Sequence, residues 1–375
     1  MSHEGEATPA PTDIAWRPPG ARRLLHGATP GEPLRFAGRA AELAWELTRA
    51  AVLDAREALR PAGPMILRME EGAAPRPAAR GVALYVHYAP GGAVSDMVRR
   101  QLAEYGRAGF AVVFITVAES VPEADWQAAR AVSALAVHRR NAGRDLGAWR
   151  DLAGEALRRW PEAEELLLVN DSVLGPFRPL APIFAALRAA GEGVFGLVES
   201  LQGGAHLQSW FLLARGARAV RELAGFLTQL RLSASKWRMV QRGEIALTPW
   251  LLQRGVRVAA LYGYARAVEA ALADPAERAR LAARYPGIAA LAGPEREAAL
   301  RRALEGRPVN PSHHLWRTLV TRLGCPFVKT ELVRRNPWRL PDVSDWPALL
   351  SSESPCTEVE IAAHLRTMGG ADRGG

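Results

Sequence analysis

The sequence predicts an α/β protein with a mostly parallel sheet and flanking helices, and three observations carry that expectation. From Gly81 onward, short apolar runs alternate with helix-length amphipathic stretches, the pattern of βαβ units. Residues 111–117 and 166–169 are apolar almost throughout, as strands covered on both faces must be. A chain of 375 residues, 49% apolar, also has ample core for one large domain or two ordinary ones.

Residues 1–35, rich in Pro, Gly, Ala and Arg without apolar periodicity, read as a mostly disordered leader. Over residues 40–59 the positions Leu43, Trp45, Leu47 and Leu53 fit a helix ending before Pro61, and residues 64–80 read as a linker, so 36–80 form an N-terminal appendage. Strands are expected at 82–88, 111–117, 135–138, 166–169, 194–198 and 207–213, with helices at 94–107, 123–134, 146–160 and 180–190. These make a sheet domain over 81–265, with one more strand near 256–261. Residues 266–350 read as a helical portion packed on it and 351–375 as a tail, and no internal repeat is evident.

Lys236 and Lys329 are the only lysines, so the net charge of +9 is almost wholly arginine spread along the chain. No block of like charge marks a polyanion-binding arm, and nucleic acid is not an expected partner. Cys325 and Cys356 show no metal-binding spacing and suit a reducing cytoplasm. The acidic, proline-bearing first twenty residues do not read as a secretory signal, and no apolar run is long enough to span a bilayer. Any membrane contact is therefore expected to be peripheral, at the inner face.

Ligands of open α/β sheets lie over the carboxyl ends of the strands, which directs attention to four places. After the first strand come His87, Tyr88 and a Gly-Gly turn, suited to stacking on a base and close approach to phosphate, or simply a strand-ending turn. After the third come Arg139, Arg140, Asn141, Gly143, Arg144 and Asp145. Guanidiniums crowding a helix start favour an anion, while Asp145 could equally serve as N-cap. After the fourth come Asn170, Asp171 and Ser172, where one carboxylate could hold Mg²⁺ or Mn²⁺ bridging to a diphosphate, or initiate an Asx turn. In the fourth place the period of two puts His206, Gln208 and Trp210 on one face and Leu207, Ser209 and Phe211 on the other, a candidate sugar platform.

Together these segments resemble the rhamnan synthesis protein F family, glycosyltransferase-like proteins of bacterial surface-polysaccharide assembly. The likeness runs through residues 84–88, 141–145, 168–176, 206–211, 310–316 and 326–332, then Asn336-Pro337, in order over roughly 82–340. The resemblance implies a GT-A-like nucleotide-sugar fold with Asn170-Asp171-Ser172 at the strand-end acid position, a single carboxylate standing where two are expected. It also implies that Glu244, before Leu247, Leu251 and Leu252, is the base of an inverting transfer, though a first-turn acid facing a helix dipole is the structural alternative. His313, His314 and Lys329 are expected near an acceptor or phosphate. The expected donor is a nucleotide sugar, such as an activated rhamnose or another deoxyhexose, and the expected acceptor a glycan or lipid-linked glycan. A non-catalytic nucleotide-sugar or glycan-binding subunit is the competing expectation.

Overall fold

The computed structural model describes residues 8–15, 32–59, 63–74 and 80–369. Its strands are β1 (Thr12–Asp13), β2 (Ile66–Glu71), β3 (Gly81–His87), β4 (Phe110–Thr116), β5 (Leu135–Arg139), β6 (Glu165–Asn170), β7 (Val173–Leu174), β8 (Gly193–Ser200), β9 (His206–Leu207), β10 (Phe211–Arg215), β11 (Val258–Tyr262) and β12 (Val328–Lys329). Ten form one sheet in the order β1-β11-β8-β10-β6-β3-β4-β5-β2, with β9 on β8, while β7 and β12 pair separately.

β6, β3, β4 and β5 are mutually parallel, β10 runs antiparallel between β6 and β8, and β11 is parallel to β8. The parallel strands carry almost unbroken apolar side chains because both faces are covered. Val98 and Leu102 of the helix Asp96–Arg107 and Trp126 of Glu123–Ala131 pack on one face, and Trp149 and Leu152 of Arg144–Arg159 on the other. Leu166, Leu167 and Leu168 are fully buried, each worth about 1.5–3 kcal/mol of apolar transfer. Trp149 pins its helix to the sheet by donating from Nε1 to the Leu84 carbonyl at 3.1 Å.

The chain moves outward from β3 through β4 to β5, then returns to β6 on the other side of β3. A crevice is therefore expected at the carboxyl ends of β3 and β6, where the winding reverses.

Three expectations about the chain's periphery fail. Within the expected leader, Thr12 and Asp13 pair with Ala260 and Ala259 as an edge strand and Ile14 is buried; residues 1–7 and 16–31 of that segment lie outside the described residues. The expected linker contains β2, antiparallel to β5, and the expected tail forms the capped helix Glu358–Met368 packed on Asp96–Arg107. The expected strand over 207–213 is divided into β9 and β10, and β11 begins two residues later than the apolar run from 256 suggests.

Candidate functional site

The crevice is built from main chain first. Asp171 directly follows β6, and its amide donates to the Val86 carbonyl at 3.1 Å, tying the end of β6 to β3. Its Oδ2 accepts from the Tyr88 amide at 2.7 Å, so the carboxylate closes the reversal point, with the Tyr88 ring exposed beside it. Burial pushes the Asp171 carboxyl well above the usual carboxylate range, and the neighbouring Asp145 charge adds to the rise.

Asn170 organises the next layer. Its Nδ2 donates to Asp145 Oδ2 at 2.7 Å, and its Oδ1 accepts from the Ser172 amide at 3.1 Å and hydroxyl at 2.6 Å. Asp145 thus lies in the site rather than capping its helix, whose N-cap is the left-handed Gly143. Burial raises the Asp145 carboxyl too, opposed by the charges of Lys329 and Arg144.

Lys329 arrives from 157 residues away. Pairing of β12 with β7 puts its Nζ 3.1 Å from Ser172 Oγ and 5.5 Å from the Trp210 ring centroid. Thr330 completes the join, donating from its amide to Ser172 O at 3.0 Å and from Oγ1 to Asp171 O at 3.2 Å. Burial depresses the ammonium to about 8, although Glu244 and Asp145 favour its charge.

Glu244 is in electrostatic contact with both Asp145 and Lys329. It sits inside a π-helical turn, Val240–Ile245, not at a helix start. Its Oε2 accepts from the Ser209 amide at 2.9 Å and from the Ser209 hydroxyl, while Oε1 lies 3.5 Å from His206 Nε2. Burial would raise its pKa, but these partners outweigh burial and hold it at about 2. Gly243 serves close approach rather than a turn, since a Cβ there would lie 2.2 Å from Leu146 Cδ1.

Other sequence candidates are placed differently. His87 is buried, with Nδ1 3.1 Å from Thr116 Oγ1 and Nε2 3.2 Å from Ala93 O, and burial lowers it to about 3, so its ring is committed to the core. Arg139 is also structural, held by Asp151 at 2.6 Å and by the carbonyls of Arg140 and Ala142, which removes the crowded-arginine argument. Gly143 and Arg144 both have positive φ, 72° and 56°, and Arg144 is exposed. Asn141 lines a separate cleft of about 450 Å³ with Val117, Ala118, Glu119 and Arg140, beyond the ends of β4 and β5.

His206, Gln208 and Trp210 do not form a wet face, because all three are buried. Gln208 donates to Asn310 Oδ1 at 2.8 Å and accepts from Ser312 Oγ at 2.5 Å and Trp210 Nε1 at 2.8 Å, clamping the 310–316 segment to the sheet. Asn310, Ser312 and Thr330 had no individual sequence signal beyond their motifs. His313 and His314 pack around Trp338 and are lowered by burial to about 4 and about 3; Lys329 is among the charges acting on His313.

Among the described residues no group of three or more His, Cys, Asp and Glu side chains could hold a metal ion. Asp145 and Asp171 are two carboxylates that act electrostatically on one another, each already accepting a hydrogen bond at Oδ2. No described helix is long and apolar enough to cross a membrane. Comparison with protein-family models and with curated proteins finds no match.

Proposed function

We propose that this protein is a GT-A-like glycosyltransferase acting on a nucleotide sugar, in keeping with the resemblance to the rhamnan synthesis protein F family. The observation that carries this reading is the convergence, at the sheet's reversal point, of Asp145, Asp171, Glu244 and Lys329 from four separate segments. In this reading the donor diphosphate lies against Lys329 and Ser172, with Tyr88 exposed for stacking and the cleft at Asn141 available to the nucleoside. A divalent cation held by Asp145 and Asp171 would offset charge building on the diphosphate.

The acceptor hydroxyl attacks the anomeric carbon, the bond to the diphosphate breaks, and the nucleoside diphosphate leaves with the electron pair. The hydroxyl proton passes to Glu244. A carboxylate at about 2 is a weak base in the free protein. Displacement of the Ser209 hydroxyl by the acceptor's would remove one of the bonds that keep it weak. The acceptor in this reading is a surface or lipid-linked glycan, and the protein works at the inner membrane face.

The same low basicity favours a second reading, a subunit that binds a nucleotide sugar or glycan without turning it over. A panel of nucleotide sugars with Mg²⁺ or Mn²⁺, read for turnover and for thermal protection, separates the two. Turnover is expected. Asp171→Asn should weaken donor binding or abolish the metal response, and Glu244→Gln should lose about 10²- to 10⁴-fold in rate with near-normal donor binding. Protection without turnover would assign the binding role, and neither effect with any member would overturn both.

A further inference from the structure

The helix Glu32–Ala58 is 27 residues long, yet meets the sheet domain along one side only. Asp54 anchors it, accepting from Ser233 Oγ at 2.6 Å, from the Ala234 amide at 2.8 Å and from the Arg238 guanidinium, and Ala50 is buried on the same side. The opposite side carries Ala41, Trp45, Thr48, Val52, Ala55 and, one residue past the helix, Leu59. Their spacing alternates four and three residues, a heptad seam. All six are exposed, Trp45 by 66% and Leu59 by 85%, which is unusual for side chains of this size unless something covers them.

We infer that this seam pairs with the same seam of a second copy in an antiparallel, two-fold symmetric coiled coil. Two features of the residues select that occupant and that direction. In the antiparallel register each large residue meets a small one: Trp45 of one copy faces Ala55 of the other, Leu59 faces Ala41 and Val52 faces Thr48. The flanking charges agree, because Glu42 of one copy then lies beside Arg56 of the other, twice by symmetry. A parallel pairing would stack Trp45 on Trp45, and would set Arg49 and Arg56 against the uncharged Ala44 and Ala51. Arg49 beside its own copy near the two-fold axis is the one repulsive approach.

Sedimentation of the full chain tests this, with circular dichroism as the control for folding. The wild type is expected to dimerise, and Trp45→Glu with Val52→Glu to give a folded monomer. Glu42→Arg should weaken the dimer about tenfold and Glu42→Arg with Arg56→Glu should restore it, while Arg49→Gln should tighten it. Direction is read by disulfide trapping, since the native Cys325 and Cys356 are buried. Thr48→Cys mixed with Val52→Cys should cross-link, and Trp45→Cys alone should not. A wild type that stays monomeric overturns the inference, as does a dimer indifferent to Trp45→Glu. A monomer that co-sediments with anionic phospholipid vesicles through this helix would assign the seam to a membrane surface instead.

Discussion

Lys329 carries two pH dependences of opposite sign. Its folded-state pKa of about 8 lies below that of a free lysine, about 10.4. Between those values the folded protein binds fewer protons than the unfolded chain, so Lys329's contribution makes stability rise with pH across that window. Diphosphate affinity should move the other way, because the ammonium proposed to bind the anion loses its proton above about 8. Titrating nucleoside diphosphate binding from neutral pH upward should show the fall, and Lys329→Met should bind about tenfold or more weakly and lose that limb. A limb unchanged in Lys329→Met would place the titrating group elsewhere. Asp171 was legible as a strand-end acid, but nothing local could reveal that Asp145 would bond the adjacent Asn170, 25 residues away, or that Lys329 would arrive through β12. His87 misled for the converse reason: a polar residue ending a strand looks the same in sequence whether it faces a ligand or donates into the core.

Among the elements, the buried parallel strands were the most legible, since unbroken apolar runs between helices have few other uses. The edge strands were not. β2 reads Ile-Leu-Arg-Met-Glu-Glu and carries its own Arg68–Glu70 ion pair at 2.5 Å, the charged dressing typical of an exposed sheet edge, so composition hid it as a linker. The division of the 206–215 segment was equally hidden, because Gln208, between β9 and β10, bonds Asn310, 102 residues away. The π-helical turn that presents Glu244 includes a close approach the sequence could not disclose, Gly243 against Leu146, where a Cβ would lie 2.2 Å from Leu146 Cδ1. Gly243→Ala should cost about 1–3 kcal/mol by overpacking. Adding Leu146→Ala should recover part of that loss, because the new methyl then fills space the leucine vacates. Urea unfolding of the two single variants and the double variant measures the coupling, and strict additivity would show that the two residues do not meet.

At the scale of the whole molecule, the site depends on a core shared by the expected sheet domain, the helical portion packed on it and the expected tail. Met97, Leu174, Phe177, Trp316, Val328, Leu332, Trp346, Cys356 and Ile361 form one buried cluster beneath β7 and β12, the pair that brings Ser172 and Lys329 together. The final helix supplies Ile361 and is fixed by a Thr357–Glu360 capping box, by an Arg100–Glu360 ion pair at 3.1 Å and by His364 Nδ1, 2.9 Å from Ser95 Oγ. It was missed because its apolar pattern is short and follows a Ser- and Pro-rich stretch resembling a tail. Loss of packing here should therefore be felt at the site. Ile361→Ala leaves a cavity beside Cys356 and should cost about 2–5 kcal/mol. It should also weaken diphosphate binding at temperatures where the protein remains folded, because β12 then loses part of its support while the main sheet keeps its own two core layers. Val359→Ala, two residues away and 74% exposed, should change neither property. Thermal unfolding and nucleoside diphosphate titration of both variants provide the check, and Ile361→Ala with wild-type stability and wild-type binding would separate the C-terminal helix from the site.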